Sequence, residues 1–109
     1  MSKNEWKKAL KRIDRNSKFV EGELYNLDYT FTAFILPRLK AFKEHQIGHP
    51  GYLEQDEWYN ILDQMIHAFQ LLYDDCIDRD DWTPLTQKQE DEIYEGIQLF
   101  AKYYRCLWI

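Results

Sequence analysis

The chain has few of the residues that build metal centres, disulfide frameworks or phosphate-binding loops. Its 109 residues include 2 cysteines, 4 glycines and 3 prolines. Cys76 and Cys106 alone give neither a disulfide framework nor the paired spacing of a zinc site, and we expect free thiols in a reducing compartment. The glycines are scattered along the chain, which excludes a glycine-rich phosphate loop.

Long hydrophobic runs are also absent, since no run exceeds four residues. A membrane-spanning helix needs about 20 apolar residues, and the first residues contain no apolar signal core. We therefore expect neither a membrane partner nor a secretory signal. Aromatic residues make up 17% of the chain, which is too many for a disordered tail.

Charge is distributed unevenly, although the net charge is only −5. Residues 1–18 hold seven basic and two acidic residues, whereas residues 19–109 hold seven basic and seventeen acidic ones. A basic arm can bind nucleic acid, but the acidic remainder would repel phosphate. We favour docking of the basic segment on the acidic body or on a neighbouring subunit, and nucleic acid is not an expected partner.

Apolar spacing predicts helices along the whole chain and no strand. The first predicted helix covers residues 4–13, with Asn4 as its N-cap. The second covers residues 28–44, and its apolar residues on one face are Phe31, Ile35, Leu39 and Phe42. It contains Pro37, where we expect a kink because proline removes one backbone donor. The connector between them, residues 16–27, is apolar enough to lie across the core.

The third predicted helix, residues 54–74, carries the clearest amphipathic pattern. Its expected core stripe is Trp58, Ile61, Leu62, Met65, Ile66, Phe69 and Leu72. Thr86 and Gln89 have the spacing of a capping box, so a fourth helix should begin there and run almost to the end. The prediction is one all-α domain over residues 1–109, a small bundle of about four helices.

The fourth predicted helix is apolar on more than one side. Its expected core stripe is Ile93, Ile97, Phe100, Tyr104 and Leu107, and its second apolar face is Leu99, Tyr103 and Cys106. A helix that is apolar over so much of its surface needs neighbours on two sides. We therefore expect a homo-oligomer, with coverage by the first helix and the connector as the alternative.

Several segments resemble small, uncharacterised proteins encoded by bacteriophages and prophages of Gram-positive bacteria. The segments that carry this resemblance are 27–30, 34–43, 58–69 and 95–108. The resemblance implies a phage origin and a site of action in the cytoplasm of the bacterial host. It also implies a counter-defence role as one class of function, and it supplies no catalytic residue.

Two carboxylate pairs provide the best candidate for catalysis. Glu54 with Glu57, and Asp75 with Asp78, have an i, i+3 spacing similar to the Mg²⁺ site of all-α nucleoside triphosphate pyrophosphohydrolases. The seventeen residues between the pairs belong to one predicted helix, which would separate them by roughly 25 Å. A metal-dependent nucleotide pyrophosphohydrolase is thus only an alternative, and we expect no enzyme activity, catalytic residue, metal or cofactor.

One further carboxylate lies near a histidine in the third predicted helix. Asp63 and His67 stand at i, i+4, and we expect them to form a carboxylate–imidazole pair on the exposed side of that helix. A metal would need additional ligands, which the neighbouring sequence does not provide.

Cationic and aromatic residues coincide at two places, and these give the candidate binding site. The proposed ligand-binding residues are Arg38, Lys40, Lys43, Tyr103, Arg105 and Trp108. Guanidinium groups bind phosphate with two hydrogen bonds, and aromatic rings stack on bases. The simpler interpretation is that these cations pair with carboxylates and that the rings belong to the core or an interface.

The leading hypothesis is a non-enzymatic counter-defence protein. It would act as an oligomeric sponge that sequesters a nucleotide-derived immune signal, of cyclic or ADP-ribose type, between subunits. The alternative is an inhibitor of a host defence protein, of anti-CRISPR or anti-restriction type. It would bind through an acidic surface formed by Asp74, Asp75, Asp78, Asp80 and Asp81.

Overall fold

A computed structural model describes residues 3–15, 18–45, 48–76 and 83–108. Over these residues it contains helices and no strand, which confirms the all-α prediction. The elements are α1 (Lys3–Arg15), α2 (Gly22–Tyr25), α3 (Leu27–His45), α4 (Gln55–Cys76), α5 (Gln87–Lys102) and a 3-10 helix (Tyr104–Cys106). None of the described helices is long and apolar enough to cross a bilayer.

Helix α4 is the centre of the fold, with α3 packed along one side and α5 along the other. Its predicted stripe is confirmed, because Trp58, Leu62 and Met65 are fully buried and Phe69 is almost so. At roughly 25 cal/mol per Å² of apolar surface, these four side chains contribute several kcal/mol to folding. The α4 stripe is therefore the main core of the molecule.

Helices α4 and α5 approach each other closely at Gly96. A methyl group at this position would lie 2.3 Å from Cβ of Ala68 and 2.5 Å from the carbonyl oxygen of Gln64. Only glycine permits such a short distance between the two backbones. Helix α5 starts with the predicted capping box, in which Thr86 Oγ1 accepts from the backbone N–H of Gln89 and the Gln89 side chain accepts from that of Thr86.

Helix α3 continues through Pro37, as the second predicted helix required. The kink expected at Pro37 stays a prediction. The predicted face of α3 is confirmed in part, since Leu39 is buried and Ile35 and Phe42 are half-buried. Phe31 lies partly in solvent, and Leu36, outside the predicted face, is buried. Thr32 is buried as well, and its hydroxyl donates to the carbonyl oxygen of Asp28 at 2.8 Å, so no polar atom of this side chain is left unpaired there.

The N-terminal part of the chain differs from the prediction in two respects. Helix α1 already includes Lys3, so Asn4 lies inside the helix and is not its N-cap. The connector does not cross the core either, because its apolar side chains Phe19, Val20, Leu24 and Tyr25 are all exposed. Leu24 and Tyr25 belong to the short helix α2. This helix contacts the start of α3 through a 2.8 Å hydrogen bond that Thr30 Oγ1 donates to the Glu23 carbonyl oxygen.

The predicted core stripe of the last helix is also partly wrong. Ile93 is buried, but Ile97 and Tyr104 are exposed, and Tyr103 from the supposed second face is buried instead. Gly96 and Tyr103 lie on the same side of the helix because they are seven residues apart. The close approach at Gly96 turns this side toward α4, and Ile97 and Tyr104 are turned away from it. One apolar side of α5 therefore lies uncovered, as the oligomer hypothesis requires, although the exposed side is not the predicted one.

Helix α1 packs on no other helix of the part of the chain that the structure describes. The molecule has extents of 46 × 38 × 20 Å and a radius of gyration of 15.8 Å. A compact domain of about 100 residues has a radius of gyration near 13 Å. The separation of α1 from the rest accounts for the larger value.

Candidate aromatic binding surface

One side of the molecule carries partly exposed apolar side chains, most of them aromatic, in the groove between α3 and α5. We call this surface the aromatic face. Its members are Leu27, Phe31 and Phe34 from α3, Ile97 and Phe100 from α5, and Tyr104 from the 3-10 helix. Phe69 of α4 lies beneath them.

The rings of the aromatic face contact one another in a continuous series. Phe31 meets Phe69 and Phe100 edge-on, with 6.1 Å between centroids in each case. Phe100 meets Phe69 at 5.3 Å and Tyr104 at 5.7 Å. Edge-to-face pairs at these distances add about 0.5–1.5 kcal/mol beyond area burial. Phe31 nevertheless remains 40% exposed and Tyr104 62% exposed, so no described part of the chain covers these rings fully.

Arg38 stands at the edge of the aromatic face. Its guanidinium carbon lies 3.9 Å from the centroid of the Phe34 ring, and its Nη1 donates to the Phe34 carbonyl oxygen at 2.8 Å. These two contacts fix the guanidinium on α3. Because a guanidinium has five N–H groups, most of its donors stay available to a phosphate or carboxylate.

The other two cations proposed from α3 lie on a different side of the molecule. Lys43 pairs with Asp63 at 2.5 Å, and Lys40 donates to Gln70 Oε1 at 2.7 Å. We call this side the polar face. His67 belongs to it as well, but it pairs with Glu92 of α5, so the expected pair between Asp63 and His67 is not formed.

A shallow hollow of about 320 Å³ opens on the polar face. Its lining residues are Lys40, Lys43, Glu44, Asp63 and Ile66. With two carboxylates facing two lysines, the hollow has no excess positive charge with which to attract an anion. Its lysines instead connect α3 to α4.

The C-terminal candidates separate in the same way. Tyr103 is buried, with its ring edge-on to Trp58 at 5.8 Å, and belongs to the core. Arg105 and Trp108 are exposed at the end of the chain. The structure thus does not bring the six predicted residues into one pocket. Among them, Arg38 is the one with a described contact to a ring of the aromatic face.

The end of the chain also meets the turn before α4. The hydroxyl of Tyr52 lies 3.8 Å from Sγ of Cys106. This hydrogen bond raises the pKa of the exposed Tyr52 above its ordinary value. An ordinary tyrosine is already neutral at physiological pH, so the raised pKa only moves the ionisation of Tyr52 further from that range.

The carboxylate pairs proposed for a metal site lie at opposite ends of α4. Glu54 and Glu57 are at its start, where Glu57 Oε1 accepts from the backbone N–H of Glu54 at 3.1 Å. Asp75 is in its last turn, and Asp78 lies outside the described residues, as do Asp80 and Asp81 of the proposed acidic surface. Within the described ranges no three His, Cys, Asp or Glu side chains gather as metal ligands.

No family model, curated protein or solved structure matches the chain. Sequence reasoning placed Phe31, Ile97 and Tyr104 in the core and so missed the aromatic face. Their spacing along each helix was visible, but apolar periodicity alone does not tell a buried side from an uncovered one.

Proposed function

We propose that this chain acts by binding and not by catalysis, as a bacteriophage counter-defence protein that sequesters a nucleotide-derived immune signal. The aromatic face, with Arg38 at its edge, would be the binding surface. The observation that carries the proposal is the guanidinium held 3.9 Å above the Phe34 ring, next to uncovered rings. A phosphate bound by Arg38 would place an attached base over these rings, where stacking contributes about 1–3 kcal/mol per base.

The proposal changes the set of residues expected to touch the ligand. Arg38, Phe31, Phe34 and Tyr104 would contact it, whereas Lys40 and Lys43 are occupied on the polar face and Tyr103 lies in the core. Arg105 and Trp108 are exposed near the same end as Tyr104 and would extend the surface. A single copy leaves the aromatic face open to solvent, so the ligand would be enclosed between two copies.

The mechanism would be mass action in the cytoplasm of the bacterial host. A tightly bound and slowly released signal lowers its free concentration below the level that activates a defence effector. No bond is made or broken, and no cofactor or metal is needed. The protein would have to be present in excess over the signal.

Thermal unfolding with candidate ligands tests this function. With cyclic dinucleotides or ADP-ribose derivatives at about 100 times the dissociation constant, the gain of roughly 2.7 kcal/mol should raise Tm by about 10 °C or more. Arg38→Ala should abolish the rise while leaving the Tm of the free protein nearly unchanged, because its side chain is exposed. Lys88→Ala is the matched control, since this exposed cation stands at the far end of α5 and should bind like the original chain.

Two results would contradict the proposal. One is the absence of a Tm rise with every nucleotide of both classes. The other is an equal rise in Arg38→Ala and in the original chain, which would remove Arg38 from the binding surface.

The strongly acidic composition of residues 19–109 favours a second candidate. In this alternative the chain inhibits a host defence protein, of anti-CRISPR or anti-restriction type, through an acidic surface that partly mimics nucleic acid. Asp74 and Asp75 at the end of α4 are its described members. This candidate predicts no nucleotide-dependent Tm rise, together with co-purification of one host protein at fixed stoichiometry.

A further inference from the structure

Helix α1 is strongly amphipathic and its apolar side is uncovered. Trp6, Leu10 and Ile13 follow one another at i, i+4 and i+7, and they are 52%, 44% and 53% exposed. The sequence of α1 contains six basic and two acidic residues. Isolated helices of this length are marginal in water, and packing of the apolar face supplies most of their stability. A partner for α1 is therefore needed.

The aromatic face is a second uncovered surface, and it is long enough to accommodate a helix such as α1. It lies between two helices that flank α4, which is the position a fourth helix occupies in a closed bundle. From Leu27 to Arg38 it extends over three turns of α3, roughly 16 Å, and α1 spans roughly 20 Å. A helix laid in this groove would cover the rings of Phe31, Phe100 and Tyr104.

The chain exposes more surface than a folded monomer of its mass is expected to expose. The chain exposes 8665 Å², whereas a folded monomer of 13.4 kDa exposes about 6,500 Å². The excess of about 2,000 Å² per chain exceeds the roughly 800 Å² that each partner buries in a standard stable interface. Enough surface is thus available for a stable dimer.

The charges of the two surfaces are complementary. By helical spacing Lys7 lies beside Leu10 at one border of the α1 stripe, and the body that carries the aromatic face has ten more acidic than basic residues. One acidic residue borders the aromatic face on each helix. Asp28 stands three residues before Phe31 and therefore lies on the same side of α3 as that ring. Glu90 stands seven residues before Ile97 and lies on the same side of α5 as that side chain. Opposite charges at the rim set the orientation of such a docking and speed its formation.

We propose that α1 of one copy docks along the aromatic face of a second copy, with its Trp6–Leu10–Ile13 stripe on the rings of Phe31, Phe100 and Tyr104. The exchange is reciprocal, so a symmetric dimer contains two identical seams and each half becomes a four-helix bundle. This covers both unpartnered surfaces in one step. The docking does not depend on the nucleotide proposed above, but it uses two of the same rings. With α1 in place over Phe31 and Tyr104, a nucleotide would be left with Arg38 and Phe34 at the rim of each seam.

A membrane surface is the other class of partner for a basic amphipathic helix. It would cover α1 but would leave the aromatic face in water. A second copy covers both surfaces and matches the charge difference between them. The two occupants give different results in the experiment that follows.

Light scattering on the full chain, with one variant on each side of the seam, tests the docking. The original chain should have twice the chain mass of 13.4 kDa. Leu10→Glu in the stripe, or Ile97→Glu in the aromatic face, should each give a monomer by placing a charge inside the seam. The matched controls are Lys8→Gln, on the opposite side of α1, and Gln98→Glu, next to Ile97. Each control lowers the net charge by one as the test variants do, and both should remain dimers.

Mixing the two monomeric variants distinguishes exchange between copies from every other arrangement. In a mixed dimer the intact α1 of the Ile97→Glu chain meets the intact aromatic face of the Leu10→Glu chain, so one of the two seams is complete. The mixture should therefore recover a dimer that neither variant forms alone. Circular dichroism of each variant alone checks that α3, α4 and α5 remain folded, and a second variant, Tyr104→Glu, replaces Ile97→Glu if that chain unfolds.

Three outcomes would overturn the proposal. The first is a monomeric original chain that sediments with phosphatidylserine vesicles and loses this binding in Leu10→Glu, which would assign α1 to a membrane surface. The second is a dimer that both Leu10→Glu and the aromatic-face variant leave intact, which would place the interface elsewhere. The third is a mixture of the two variants that stays monomeric.

Discussion

At the scale of single residues, Phe69 links the core to the aromatic face. It is almost fully buried and meets Phe31 and Phe100 edge-on. Phe69→Ala should lower the free energy of unfolding by about 3–5 kcal/mol, because it removes a buried ring and leaves a cavity between three helices. Chemical denaturation measures this, with the exposed Tyr94→Ala as a control that should change stability by less than about 0.5 kcal/mol. A loss below about 1 kcal/mol for Phe69→Ala would contradict this core position.

Gly96 permits a close approach between α4 and α5. Gly96→Ala should destabilise the protein by about 1–3 kcal/mol, because the new methyl group would overlap Ala68 Cβ and the Gln64 carbonyl oxygen and force the helices apart. This holds although alanine is the better helix former by about 1 kcal/mol. Chemical denaturation again provides the measurement.

Gly51→Ala is the matched control for this substitution. A methyl group at Gly51 meets no atom within 4 Å, and its backbone is not in the left-handed region. The control should be neutral or stabilising by up to about 1 kcal/mol. Equal effects of the two substitutions would mean that α4 and α5 are not held together at Gly96.

The buried residues of a helix could be predicted from the sequence where the helix has one apolar side, but not where it has two. The α4 residues Trp58, Leu62 and Met65 were assigned correctly because no other side of that helix is apolar. On α5 the apolar residues cover two sides, and helical periodicity gives both equal weight. The choice between Tyr103 and Tyr104 depends on the backbone approach at Gly96, which is a tertiary property.

At the scale of elements, the start of α5 is fixed by a reciprocal pair of hydrogen bonds. Thr86 Oγ1 accepts from Gln89 N at 3.1 Å, and Gln89 Oε1 accepts from Thr86 N at 2.9 Å. Thr86→Ala should therefore cost about 1 kcal/mol of unfolding free energy, since the backbone N–H of Gln89 loses its side-chain acceptor and the reciprocal pair is broken. Thr86→Ser keeps the hydroxyl and should stay within a few tenths of a kcal/mol of the original chain. Equal stabilities of the two variants in chemical denaturation would show that the box does not stabilise α5.

The helices themselves were largely predictable, because capping and periodicity are local. The Thr86–Gln89 signature and the long α4 pattern located two helices correctly. The segment 16–27 was misjudged because its apolar residues, among them Phe19 and Tyr25, gave no information about whether a neighbour was present. The candidate site suffered from the same limitation, since cations close in sequence, such as Arg38 and Lys40, project to different sides of one helix.

At the scale of the whole molecule, the open arrangement matters most. Helices α3, α4 and α5 form a core with an uncovered aromatic face, and α1 stands apart with an uncovered apolar stripe. The sequence predicted surplus apolar surface on the last helix, but not which side was in excess or which element matched it. That match depends on the relative position of three helices, which periodicity within any single helix does not contain.

The central claim is that two copies join and that their seam forms the binding surface. Native mass spectrometry of the full chain, purified from cells that produce the immune signal, tests it most directly. We expect twice the chain mass of 13.4 kDa together with a retained nucleotide, and we expect both to disappear in Leu10→Glu. A single chain without added mass, at concentrations where the fold is intact, would contradict the claim.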